Sequence, residues 1–286
     1  EMVNQSGVMS VARYGDWSET YIVDLFDWHL KVSESLPDFG GNAQWAFKDF
    51  ATPLRPENAL PYINQKGLVD RQGRPKEAYW VFKSYWTKEP AFCHIYGHNW
   101  TERHGEKGST QRVRVYCNTD SAQLTLNDMV LDEKIKDPAM FPASGLFWDV
   151  NFKPGLNKLS VTGRSSAGAL VSDALDIEYS EDEYGKMTDI QLSSKHLDDG
   201  LILIEAVAVD ETGKRVHSSR ERVYFSHVNQ GTGGVLFESF GTPDRSSIIE
   251  MANGRATILF DPSGDGGKAV IEVRSQSFKG KTIIVP

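Results

Sequence analysis

The chain has 286 residues, 40% of them hydrophobic and 24% charged, with a formal net charge of −8. That is enough apolar material for about two domains or more, each with a proper core. An acidic balance without a basic cluster excludes the electrostatic footprint of a nucleic-acid binder, and no apolar run of about 18 residues is present to span a membrane. The first residues, Glu1-Met2-Val3-Asn4-Gln5, carry neither a positively charged start nor an apolar signal core, so the abrupt beginning reads as a piece cut from something longer.

In chain order, helical signals come first. Ser18 suits an N-cap, and Tyr21, Ile22, Leu25, Phe26 and Leu30 recur at helical spacing, which predicts a helix over Ser18–Val32. Next, Gly40-Gly41 precede a short alternating strand, with Trp45, Phe47 and Asp49 on one face and Ala46, Lys48 and Phe50 on the other. The loop that follows carries Arg55, Glu57, Asn58, Asn64 and Lys66, which sets polar groups beside an aromatic platform. Sugar sites use that combination, the ring covering the apolar face of a pyranose and the polar groups reading its hydroxyls. A buried strand tryptophan with a solvated loop is the bland alternative. Pro75 opens a second helix to Trp86, with Ala78, Tyr79, Phe82 and Tyr85 along one stripe. One strand and two helices close no core, so residues 1–88 are expected to pack against chain outside this sequence.

From about Glu89 the pattern becomes all-β. Gln111–Cys117, Ala122–Leu126 and Leu156–Thr162 alternate, with turn residues between them, and predict a β-sandwich over 89–180. The acidic stretch Tyr179–Gly185 reads as a linker. Strands at Leu201–Asp210, Arg222–Ser226, Ala256–Phe260, Ala269–Arg274 and Lys281–Val285 then predict a second sandwich over 181–286. Cys93 and Cys117 allow at most one disulfide, but each suits a small buried slot in a strand, and two free thiols are expected. His94, His98 and His104 are read as ordinary loop or strand histidines without the spacing of a zinc site, and no metal or cofactor is expected.

Four motifs in order, Trp17-Ser18-Glu19-Thr20-Tyr21, Trp45-Ala46-Phe47-Lys48-Asp49-Phe50, Asn64-Gln65-Lys66-Gly67-Leu68-Val69-Asp70-Arg71 and Arg74-Pro75-Lys76-Glu77-Ala78-Tyr79, resemble the last quarter of the catalytic barrel of glycoside hydrolase family 2. Val113–Asn118 leading into Gln123–Asn127 resembles the immunoglobulin-like domain that follows this barrel in long bacterial members, and the last hundred residues resemble a further domain of that kind. The resemblance implies a multidomain α/β plus all-β chain, the end of a (β/α)8 barrel followed by two immunoglobulin-like sandwiches. It implies a retaining mechanism whose nucleophile, by spacing from Trp45, falls on Glu1, although Glu1-Met2-Val3 stands where the family has Glu-Tyr-Gly. Trp45 corresponds to the tryptophan lining the sugar subsite, and Asn64 and Lys66 match the Asn-x-Lys motif with which β-glucuronidases hold the substrate carboxylate. The acid/base residue is expected upstream, so residues 1–286 alone are expected to hydrolyse nothing.

The main expectation is the C-terminal part of an exo-acting, β-galactosidase-like glycosidase, since long members with two extra sandwiches are more often of that kind. A β-glucuronidase is the alternative, and a glycan-binding or adhesion module and a structural spacer are the non-catalytic ones. The expected partners are an oligosaccharide or polysaccharide substrate, the upstream part of the same protein and, as one option, further copies in a homo-oligomer. The expected location is the bacterial periplasm or the exterior.

Overall fold

The computed structural model describes residues 11–12, 15–16, 18–53, 63–105, 107–181, 184–198, 200–229, 233–236, 247–251, 254–262 and 266–286. β1 (Val11–Ala12) pairs antiparallel with β2 (Gly15–Asp16). Helix α1 (Glu19–Glu34) starts where its cap residue predicts, with Ser18 Oγ accepting the Tyr21 amide at 3.1 Å. Its buried face is Val23, Asp27 and Leu30, flanked by Ile22 and Phe26, while Tyr21 stays 48% exposed. The stripe is thus rotated from the predicted one, because Asp27 enters the interior by pairing with polar groups there.

The predicted Trp45 strand is reduced to β3 (Phe50–Ala51), which pairs antiparallel with β4 (Ile63–Asn64). Alternation misleads at this point: Trp45 and Phe47 are both exposed, at 69% and 63%, and only Asp49 is buried. Helix α2 (Glu77–Trp86) follows Pro75 and crosses α1 with Phe26 and Phe82 edge to face, ring centroids 5.1 Å apart. The helices do find a partner within this chain, since their cluster of Val23, Leu30, Val81 and Phe82 takes in Tyr96, Tyr116 and Ala143 from the segment that follows.

That segment is a two-sheet sandwich of β5 (Cys93–Ile95), β6 (Glu102–Gly105), β7 (Gln111–Cys117), β8 (Ser121–Leu126), β9 (Met129–Ile135), β10 (Phe147–Val150), β11 (Gly155–Arg164) and β12 (Leu170–Glu181). One sheet has the order β10-β7-β5 and the other β6-β12-β11-β8-β9. Val115, Leu124, Trp148, Val161 and Ile177 fill the space between them. Asn127 and Asp128, at φ 47° and 68°, make the left-handed two-residue turn that a β8–β9 hairpin favours.

Two expectations are corrected in this sandwich. Cys93 and Cys117 form a disulfide, because antiparallel pairing of β5 with β7 sets them directly opposite each other. Tyr179–Glu181 is not linker but the end of β12, which pairs in parallel with β6, and Tyr179 is only 3% exposed in the core.

A second sandwich comprises β13 (Asp189–His196), β14 (Ile202–Val209), β15 (Arg222–His227), β16 (Val235–Leu236), β17 (Ser247–Glu250), β18 (Arg255–Asp261), β19 (Ala269–Ser275) and β20 (Lys281–Val285). Its sheets run β13-β14-β18-β16 and β17-β15-β19-β20 around Ile202, Ile204, Phe225, Phe260 and Ile271. Gly254 enters β18 at φ +66°, and a Cβ there would lie 2.1 Å from the Val216 carbonyl oxygen, so the turn before β18 requires glycine. Among the described residues no helix is long and apolar enough to cross a membrane.

Candidate substrate-binding site

The segments 45–49 and 66–69 run side by side. The Ala46 amide donates to the Lys66 carbonyl at 3.3 Å, the Leu68 amide to Ala46 at 3.2 Å, and the Val69 amide to Phe47 at 3.0 Å. This ladder sets the exposed Trp45 next to the turn that carries Asn64 and Lys66. Asn64 Oδ1 accepts the Lys66 amide at 3.1 Å, an Asx turn that shapes the loop and leaves the Lys66 side chain exposed. The Trp45 ring meets Phe50 edge to face at 5.8 Å, and Phe50 pairs with Asn64, so platform and turn share one short sheet.

Beneath the loop lies a buried ion pair that the sequence reading missed. Lys76 Nζ donates to Asp49 Oδ1 at 2.7 Å and to the Gln65 carbonyl at 2.8 Å, and the Gly67 amide reaches the same Asp49 oxygen at 2.8 Å. Both charged side chains are about 5% exposed, so losing either partner strands a buried charge, typically at a cost of about 3–5 kcal/mol. Gly67 is dictated by this packing, since a Cβ would sit 2.3 Å from the Asp49 amide nitrogen. The one available signal was Asp49 inside an otherwise aromatic run, which alternation alone could not pair with a lysine 27 positions later.

Trp45, Asn64 and Lys66 therefore lie on neighbouring backbone segments that the buried Asp49–Lys76 pair holds together. Glu1, Arg55, Glu57 and Asn58 lie outside the described residues.

A second polar cluster joins the helices to the first sandwich. Glu19 Oε2 accepts the Glu77 amide at the start of α2 at 3.3 Å and the Asn99 side-chain amide at 2.8 Å. Burial, then the neighbouring Glu77 carboxylate, push the Glu19 carboxyl up to about 7. Glu77 takes His94 Nε2 at 2.9 Å and the His98 amide at 3.0 Å. Asp173, from β12, takes the Ile95 amide at 2.7 Å and His98 Nε2 at 2.8 Å. Burial works against the charged Asp173, but His98 and the Ile95 amide outweigh it and hold its carboxyl below the usual range, while the same hydrogen bond raises His98. Two turns along the same buried face of α1, the wholly buried Asp27 accepts Tyr85 and Tyr116 hydroxyls, each at 3.1 Å, and the Ala143 amide at 2.5 Å. Burial pushes its carboxyl up against the pull of these donors.

Comparison with known proteins places this architecture. Residues 108–172, inside the first sandwich, match a family model described only as a domain of unknown function, DUF4982. A protein of Formosa agariphila provisionally named a β-glucuronidase is 47% identical over 285 residues, covering 100% of this chain and 34% of that relative. The chain belongs to glycoside hydrolase family 2. It matches the C-terminal part of that family's proteins. The crystal structure of Parabacteroides merdae β-glucuronidase, 36% identical, superposes with a TM-score of 0.72 over 96% of this chain and 34% of that one. A Bacteroides ovatus β-galactosidase is more distant, 24% identical over 264 residues, 87% of this chain and 29% of its own length. The chain thus spans about a third of the length of these relatives.

Proposed function

We propose that this chain is the C-terminal portion of an exo-acting, retaining β-glucuronidase that removes terminal β-linked uronic acids from oligosaccharides or polysaccharides. In this reading residues 1–88 are the last part of a (β/α)8 barrel, and residues 89–180 and 181–286 are two immunoglobulin-like sandwiches. The observation that carries it is the Asn64–Lys66 turn, held on the buried Asp49–Lys76 pair beside the exposed Trp45. Trp45 covers the apolar face of the sugar ring, while the Asn64 amide and the Lys66 ammonium hold its carboxylate. Each charge-assisted hydrogen bond of that kind contributes roughly 1.5–3 kcal/mol.

Glu1 is the proposed nucleophile. The general acid, about 5–5.5 Å from it in a retaining site, comes from another part of the longer protein, which also completes the barrel. Identities of 47% and 36% to proteins named β-glucuronidase, against 24% to a β-galactosidase, favour the uronide reading over the galactoside expectation drawn from domain count. The Cys93–Cys117 disulfide suits an oxidising compartment, in keeping with a periplasmic or secreted bacterial enzyme.

The test is Lys66→Ala in the full-length protein, assayed on aryl β-glucuronide and aryl β-galactoside. A fall of roughly 10–100-fold in kcat/KM on the glucuronide alone is the expected result, the loss of one charge-assisted contact. Equal losses on both substrates would remove the carboxylate clamp.

A further inference from the structure

The polar cluster behind α2 has more donors converging on one point than a structural joint needs. His94, His98 and Asp173 each offer a ligand atom, and these lie within 4.8 Å of one another; the Asp173 carboxylate is 3.9 Å from His94 Nδ1 and 2.8 Å from His98 Nε2. They come from β5, from the loop after it and from β12, so chain folding rather than local sequence assembles them. His94 is buried and stacked between Trp80, at 4.5 Å, and His98, at 4.7 Å. Glu77 takes its Nε2 at 2.9 Å and so turns Nδ1 toward Asp173, 3.9 Å away. A carboxylate on the far nitrogen of an imidazole is the outer-shell arrangement that orients histidine ligands and raises their basicity. Asp173 is oriented in turn by the Ile95 amide at 2.7 Å. A cleft of about 370 Å³, lined by Glu77, Trp80, His94, His98 and Asp173, opens onto the cluster, and the His98 side chain, 38% exposed, stands at its edge.

We propose that His94, His98 and Asp173 bind one divalent transition-metal ion of the zinc class, with Glu77 as the outer-shell carboxylate. Two imidazole nitrogens and one carboxylate oxygen form a donor set suited to Zn²⁺, with the cleft leaving a fourth position for water. Bonds of about 2.0–2.1 Å in a tetrahedral site put donors roughly 3.3 Å apart, so the His94–Asp173 pair, now 3.9 Å apart, closes by about 0.6 Å and the His98–Asp173 pair, now 2.8 Å apart, opens by about 0.5 Å. His98 can supply that movement, being the exposed member, and the ion takes the place of the proton it now shares with Asp173. The ion ties β5 and β12 together beside the start of α2, through residues other than Trp45, Asn64 and Lys66. It is independent of the glucuronidase reading, because no residue of the site belongs to the proposed sugar pocket.

The experiment is a calorimetric titration of the chelator-stripped full-length protein with Zn²⁺ alone, repeated with Co²⁺ for its visible absorption. One saturable equivalent is expected, with a Co²⁺ band typical of nitrogen and oxygen ligands and a rise in Tm on saturation. His98→Ala and Asp173→Asn should abolish that equivalent, Glu77→Gln should weaken it about 10–100-fold, and His104→Ala should leave it unchanged. Absence of a saturable site, or equal binding by His98→Ala and the unaltered protein, would overturn the proposal and leave a hydrogen-bonded joint. The circular-dichroism spectrum of His98→Ala, an exposed-edge change, separates loss of a ligand from loss of fold.

Discussion

The helical segment and the second sandwich are stabilised by different means. The second sandwich closes on aliphatic and aromatic side chains, with Ile202, Ile204, Phe225, Phe260 and Ile271 all fully buried. The helical segment shares its apolar core with the first sandwich and buries charged or polar groups at its joints: Asp27, Asp49 with Lys76, and Glu19 with Glu77. Arg114 of β7 reaches Asp24 of α1, and Lys136 Nζ donates to the Ser84 carbonyl of α2 at 2.8 Å, so the joint is polar at its rim as well. The helical segment also exposes the aromatics Tyr21, Trp28, Trp45, Phe47 and Trp86, whereas among the described residues of the second sandwich the exposed large hydrophobics are the aliphatic Val228, Val235 and Ile284. Aromatic exposure over a floor of paired charges is what a binding face needs, and an aliphatic core is what a frame needs.

Substitutions that remove a polar joint should therefore cost more than ones that trim the frame. Asp27→Ala, which strands two tyrosyl hydroxyls and a backbone amide, is expected to lower stability by about 3–5 kcal/mol in chemical denaturation. Removal of the Cys93–Cys117 bridge by Cys117→Ser, with a sequence separation of 24, should cost about 2–4 kcal/mol. Reductant should then have no further effect on the variant's Tm.

Glu19 gives a pH-dependent test. Its carboxyl, raised from 4.5 to about 7, contributes stability that is full below the unfolded value and is lost as pH rises through the folded one. Glu19→Gln should consequently stabilise the protein at pH 8 relative to pH 5 by roughly 1–3 kcal/mol, read from urea midpoints at the two pH values. The smallest effect is expected from Ile204→Val in the second sandwich, about 0.5–1.5 kcal/mol. If Ile204→Val proved as costly as Asp27→Ala, the contrast between polar joint and apolar frame would fail.

Much of this fold was legible because local rules apply to it directly. The cap at Ser18, the proline before α2, and the period-two runs of β7, β8, β11, β14 and β18 through β20 each specify an element within a few residues. The ends of these strands differ from the expectation by no more than two positions. What stayed hidden was pairing at a distance. Trp45 and Phe47 alternate on paper yet are both exposed, since the backbone there is bonded to residues 66–69 instead of entering a long strand. The acidic run beginning at Tyr179 looked like linker because its polar side chains masked one tyrosine buried by a parallel neighbour.

The candidate site divides in the same way. The sequence by itself supplied an aromatic run at Trp45 and an Asn-x-Lys turn at Asn64–Lys66, and its motifs point to the glycoside hydrolase family to which the chain belongs. Only the tertiary structure decided that Cys93 faces Cys117, that Lys76 closes on Asp49 beneath the Asn64–Lys66 turn, and that Asp173 meets two histidines of another strand and loop. Spacing along a chain constrains neighbours within a helix turn or a hairpin. Buried charges and metal-type ligands instead find partners across sheets and domains, where register and packing choose them.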